Sequence, residues 1–327
     1  MKKNNQEKFK TMIGGQALIE GIMMLGPDRS AVVVRTKDGL QEKIEDRPKP
    51  STGFSVKKLP FIRGLFNFWT SMKIGVSAMM YSADFMLEEE TGEPEENPSK
   101  LDKWLEEKLS TGAFTTLAVI LGMCLSVGLF VILPSFIGSF IQRWIPNDLV
   151  HNLVEGLIRV VILVGYMFLM SLMKDMKRVF AYHGAEHKSI RCYEARLPLT
   201  VENVRKQTRL HPRCGTSFLF VVVFLSILVF SVASILLAPI TPTFDSGILN
   251  ALVRVAQKLL FLPLVVGIAY ELNRIVGRYD NWFTRAISAP GMWLQYITTR
   301  EPDDSMIEVG IAALSAVIPE EEGSDLW

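Results

Sequence analysis

The sequence has almost no net charge, few histidines and few cysteines. Its 35 Lys and Arg stand against 34 Asp and Glu over 327 residues, a formal charge of +1. A general nucleic-acid binder needs a clustered excess of cations to displace counterions from phosphates, so no nucleic-acid partner is expected. Three cysteines, an odd number in a long chain, argue against a disulfide-stapled secreted scaffold. The basic start MKKNNQEKFKTMIGG is not followed by an apolar run. No cleavable signal peptide is therefore expected, and membrane insertion must come from internal segments. Nucleotide loops and flavin or nicotinamide fingerprints are also missing from the sequence.

What the chain does have is apolar residues, 49% of the total beside 21% charged ones, and a positive mean hydropathy of +0.25. Both hold together only if the two kinds of residue occupy different regions. Four stretches are long enough for the roughly 20 residues that a helix needs to cross a bilayer: 114–133, 157–173, 217–238 and 251–270. Pro134 is expected to stop the first, and Arg159, near the start of the second, to snorkel to headgroups. In the fourth, Arg254 and Lys258 share a helix face, which reads as two interfacial turns, and Pro263 reads as a kink. Segment 174–216 carries ten basic residues, whereas 142–156 carries one and 239–250 none. The positive-inside rule then places that segment and both termini in the cytoplasm.

The expected fold is mainly α: a polytopic membrane protein of about four transmembrane helices with a small α+β N-terminal cytoplasmic region. Residues 1–60 read as β-rich, with a hairpin turning at Lys37-Asp38-Gly39. Residues 61–87 read as an interfacial or amphipathic helix or, alternatively, a fifth span. The stretch 88–112 reads as an acidic linker and short helix, 113–271 as the membrane domain, and 272–327 as a C-terminal tail with short helices. In that tail, Asp304 or Ser305 is a candidate cap, with Glu308 closing a capping box.

Three of the four histidines fall within 29 residues. On a helix, His183 and His187 lie one turn apart on one face, which Glu194 extends. His-x-x-Glu-His is also the spacing of the inverted zinc-protease motif, with Glu186 as general base. His211 and Cys214 would add a third ligand and a fourth; imidazole and thiolate favour zinc among divalent metals. The alternative is that the pair simply hydrogen-bonds to carboxylates, backbone or lipid phosphate. Glu20 either pairs with a cation or lines the site. Glu271 is expected to form a salt bridge to the basic loop, with ligation as the alternative. Cys124 and Cys192 read as small apolar residues.

Four motifs, GGQALIEGIMM at 14–24, HGAEHK at 183–188, HPRCGTSF at 211–218 and APGMWLQYITTREP at 289–302, together resemble the YqhQ-type family of bacterial integral membrane proteins. That resemblance implies a domain of unknown function labelled a predicted metal-dependent enzyme. Carried over by motif, it points to the same residues: His183, Glu186, His187, His211 and Cys214.

Two functions compete. One is a metal-dependent, hydrolase-like enzyme acting on lipid or a membrane-associated peptide, with three ligands, an activated water and Glu186 taking its proton. The other is a non-catalytic scaffold that partners membrane-protein biogenesis, insertion or quality-control machinery, or a second copy of itself. A transporter is disfavoured, because the spans show few charges and no internal repeat.

Overall fold

A computed structural model describes residues 9–48, 56, 59–90, 111–141, 144–145, 147–242, 244–321 and 323–326. Most of the acidic linker within 88–112 lies outside these residues. Four strands open the fold: β1 Gly14–Leu18, β2 Gly21–Leu25, β3 Arg29–Thr36 and β4 Gly39–Asp46, an antiparallel meander in the order β1-β2-β3-β4. The helices follow: α1 Ile62–Glu90, α2 Thr111–Val127, a π-turn Gly128–Ile132, α3 Leu133–Ile141, α4 Asp148–Leu172, α5 Lys174–Glu194, α6 Val201–Arg205, α7 Gly215–Leu237, α8 Gly247–Arg278, α9 Trp282–Thr298 and α10 Asp304–Ser315.

The expected hairpin at Lys37-Asp38 is the β3–β4 turn, with Thr36 opposite Gly39. A second hairpin precedes it. Leu18 pairs with Gly21, and Glu20 turns the corner at φ 51. The runs GIMML and AVVV lack the alternation of a half-exposed strand because this sheet is covered on both faces. Ile22, Met24, Ala31 and Val33 pack with Tyr182 and Ala185 of α5 and Val309 and Leu314 of α10. Met23, Val32 and Val34 pack on Ala78 of α1. Helix α10 is capped by Asp303, whose carboxylate accepts from the Met306 N–H at 3.0 Å. This replaces the expected cap at Asp304 or Ser305. Glu308 instead pairs with Arg35 of the sheet at 2.7 Å, so α10 belongs to the core.

The chain divides into two compact units. The first comprises Met1–Met86, Met167–Val222 and Val266–Trp327, and contains the sheet, α5, α9, α10 and the ends of α4, α7 and α8. The second comprises Leu87–Tyr166 and Val223–Val265. Among the described residues four helices are long and apolar enough to cross a membrane: Thr116–Ile141, Val150–Leu172, Gly215–Ile240 and Gly247–Arg278. Helix α1 is not one of them. The first span runs past Pro134, contrary to expectation. Proline removes an N–H, and the π-turn, in which the Leu133 N–H bonds to the Gly128 carbonyl, carries the helix through.

Charge inside the second unit also departs from the sequence reading. Arg159 does not snorkel, and Lys258 too is enclosed by protein: they are 5% and 8% exposed. Both pair with Glu155, itself 3% exposed, whose Oε1 also accepts from Ser135 at 2.9 Å. Arg159 further donates to the Phe130 carbonyl at 3.0 Å and Ser226 at 2.8 Å. Charges in an apolar bundle are held by partners rather than by water.

Candidate metal centre

Helix α5 carries most of the site. After the break at Met173 it runs unbroken, so His183 and His187 stack one turn apart with ring centroids 4.3 Å from each other. Each ring is held from behind by the backbone. His183 Nδ1 lies 2.8 Å from the Thr298 carbonyl, and His187 Nδ1 2.5 Å from the Arg209 carbonyl. A carbonyl can only accept, so both Nδ1 atoms carry the hydrogen and both Nε2 atoms turn lone pairs toward the site when the rings are neutral. Cys214, in the turn leading into α7, puts its Sγ 3.1 Å from His183 Nε2. Donor atoms of His183, His187 and Cys214 all lie within 4.8 Å of one another.

Electrostatics follow from this enclosure. Burial works against the Cys214 thiolate, but His183 and His187 beside it hold the thiol well below its ordinary range. Burial likewise works against a charged His183, yet the facing thiolate raises it to about 9. In the metal-free chain each group thus favours the other's charged form, imidazolium beside thiolate. Glu186, 4% exposed, is pushed up by burial, a shift the two histidines oppose. The Gly15 N–H bonds to its carboxylate, and a Cβ on Gly15 would meet the Glu186 carboxyl carbon at 3.0 Å. Strand β1 can approach the site this closely only because residue 15 is glycine.

Residues of the basic segment 174–216 pack around the site. Lys188 donates to the Arg205 carbonyl at 3.0 Å, and Arg191 to the Leu210 carbonyl at 2.7 Å. Gln295 of α9, fully buried, accepts from the His211 N–H and donates to the His211 carbonyl, both at 2.7 Å. Gly184 lies against the Arg300 carbonyl, where a Cβ would collide. Neither Gln295 nor Thr298 stands out by residue type; their one signal was a polar Gln inside the apolar run of the C-terminal motif.

The remaining expected residues are distributed as follows. His211 stands beside the three-donor group but outside it, its ring 5.6 Å from that of His187. Its Nε2 faces Glu194 at 3.5 Å, and burial together with nearby Arg191 lowers it to about 4, so the ring is neutral. Glu194 accepts from Arg213 and from the Thr11 N–H at 3.1 Å. Glu20 is held by Arg178 and by the Tyr182 hydroxyl at 3.1 Å. Glu271 forms a salt bridge, but to Arg63 of α1 (Nε 2.7 Å) rather than to the basic loop.

Among the described residues, His187 Nε2 and Glu186 Oε2 are buried polar atoms with no hydrogen-bond partner. Such atoms are costly unless something else satisfies them. Two neutral imidazoles oriented by carbonyls, plus a thiolate, form a donor set suited to zinc.

Residues 59–320 match the family described as "Protein of unknown function (DUF1385)". The chain is also 32% identical over 321 residues, covering 96% of it and 94% of the relative, to the "Uncharacterized protein YqhQ" of Bacillus subtilis (strain 168). No solved structure matches. These findings bear out the resemblance read from the four motifs.

Proposed function

The chain belongs to the DUF1385 family, and we propose that it is a multi-pass metalloprotein of the bacterial cytoplasmic membrane, with both termini in the cytoplasm. In this reading His183, His187 and Cys214 hold zinc at the inner membrane surface and serve a hydrolytic reaction on a lipid or membrane-associated peptide. The observation that carries it is the pair of Nδ1–H groups fixed on the Thr298 and Arg209 carbonyls, which aims two Nε2 lone pairs beside a buried thiol. The surface location is supported by Cys214 directly preceding the span Gly215–Ile240, and the orientation by the ten basic residues of 174–216.

Zinc, were it held by His183, His187 and Cys214, would supply Lewis-acid chemistry for a hydrolytic step. Glu186, raised by burial and adjacent to the donors, accepts a proton and returns it to the leaving group. The Gly15 N–H and the α5 backbone keep that carboxyl in place. Full-length protein purified without chelator should contain about one equivalent of zinc, lost in His183→Ala and Cys214→Ala but kept in Glu186→Gln. Less than about a tenth of an equivalent in the unmodified protein would overturn the reading.

A scaffold role is the second reading, motivated by the exposed apolar residues of α1, among them Leu65, Phe66, Met72 and Trp69, the last 65% exposed. It calls for a protein partner such as biogenesis machinery or a second copy of the chain. Glu186→Gln retaining full cellular function, while polar replacement of that α1 face abolishes partner recovery, would decide for it.

A further inference from the structure

Helix α9, WFTRAISAPGMWLQYIT, follows the span Gly247–Arg278 almost at once, capped by Asn281. A helix packed on a protein in water turns its apolar side chains inward and its polar ones outward. In α9 that order is largely reversed. Thr284, Ser288, Gln295 and Thr298 are buried, whereas Trp282, Trp293 and Tyr296 are 80%, 68% and 61% exposed. Trp282 and Trp293 stand about three helical turns apart and Tyr296 one turn further on, so the exposed rings form one stripe opposite the buried polar positions.

The buried polar face has its own partners. Gln295 holds the His211 backbone and also donates to the Ser217 hydroxyl at 3.2 Å, and the Thr298 carbonyl meets His183. A Cβ on Gly291 would collide with Ser217, so α9 lies directly against the first residues of the span Gly215–Ile240. These residues and the end of the span Gly247–Arg278 all belong to the first unit. The aromatic stripe is therefore carried where one span begins and another ends, beside segment 174–216.

We propose that this stripe docks on lipid, in the boundary between headgroups and acyl chains on the side of the bilayer that carries segment 174–216. Trp and Tyr are the side chains enriched at that boundary, because each buries an apolar ring while its N–H or O–H reaches water and headgroups. Continuity with one span and packing on the start of another put the rings at the depth where the hydrocarbon ends. Tyr296 also meets the Arg209 guanidinium at 5.8 Å, a cation at the edge of the stripe. With α9 docked, its opposite face holds the histidine–cysteine group about one helix diameter, roughly 10–12 Å, from the headgroups. That proximity serves the lipid-directed form of the hydrolytic reading; the docking itself rests on neither zinc nor hydrolysis.

The test uses the full chain in phosphatidylcholine vesicles, either plain or brominated near the carbonyl end or near the methyl end of the acyl chains, with tryptophan fluorescence as readout. Subtracting the emission of Trp293→Phe or of Trp282→Phe from that of the parent isolates each ring; both are ring-for-ring changes at exposed positions, and circular dichroism checks the fold. Each ring should lose most emission to bromine near the carbonyl end and less to bromine near the methyl end. Loss to aqueous acrylamide alone would put the stripe in water and overturn the proposal. Loss to neither quencher would mean that protein, such as a second copy of the chain, covers the stripe, and would overturn it as well. So would the strongest loss coming from the methyl end, which places the rings in the bilayer core. Zinc content measured on the same samples keeps the two readings apart: bound zinc without bromine quenching overturns the docking alone, and bromine quenching without zinc overturns the metal reading alone.

Discussion

Replacing Glu155 by leucine should destabilise the protein far more than replacing Lys258 by leucine, although the two side chains form one ion pair. Glu155 Oε1 is shared by Lys258, by Arg159 at 3.2 Å and by Ser135 at 2.9 Å, and all three charged groups are at least nine-tenths buried. The cluster therefore holds two cations and one carboxylate, a net charge of +1. Glu155→Leu raises this to +2 and leaves both cations unpaired in an apolar bundle; removing one partner of a buried pair in this way costs about 3–5 kcal/mol. Lys258→Leu leaves Arg159 and Glu155 as a neutral pair, with the Phe130 and Ser226 bonds intact. Its loss is limited to the two hydrogen bonds from Lys258 to Glu155 and to Ser135, about 1–2 kcal/mol net, partly offset by the apolar side chain. Adding Lys258→Leu to Glu155→Leu returns the net charge to +1 and should recover part of the loss. Unfolding by SDS titration in mixed micelles, followed by circular dichroism, gives the three free energies and their coupling. A Lys258→Leu loss equal to or greater than that of Glu155→Leu would refute the reasoning, as would two variants both within about 0.5 kcal/mol of the parent, the range typical of exposed positions.

Gly184→Ala should force the Arg300 backbone away from α5, costing about 1–3 kcal/mol of stability. It should also weaken zinc binding about tenfold by displacing the nearby Thr298 carbonyl; an unchanged thermal midpoint and zinc affinity would contradict this. In chelator, the stability difference between the protein and Cys214→Ala should stay level between pH 6.5 and about 9. His183, raised from 6.5 to about 9, contributes fully below 6.5 and loses its contribution as pH rises through about 9; Cys214, depressed from 9.0, gains over the same window and loses only on acidification. A clear slope in urea denaturation across that window would rule out the imidazolium–thiolate pair.

The spans were legible because crossing a bilayer is a local requirement, met by one uninterrupted apolar run at a time. The histidine pair was legible for a similar reason: i, i+4 spacing on a helix brings two side chains together whatever the rest of the chain does. The first hairpin was not, since the sheet is buried on both faces and its strands lose the alternation that marks a strand. Arg159 read as snorkelling because its partner, Glu155, lies within a loop by composition, and Lys258 comes about a hundred residues later. His211 and Cys214 were equivalent in the sequence, two donors three residues apart.

By itself the sequence determined the membrane class, the family and the helix on which the histidines stand, all properties of contiguous residues. The tertiary structure alone decided that Cys214 joins the histidine pair while His211 turns toward Glu194. It also decided that the Thr298 and Arg209 carbonyls orient the rings and that Gly15 leaves room for Glu186. Those outcomes depend on contacts between residues up to 171 positions apart, as from Gly15 to Glu186, where geometry rather than residue type settles which donor reaches which partner.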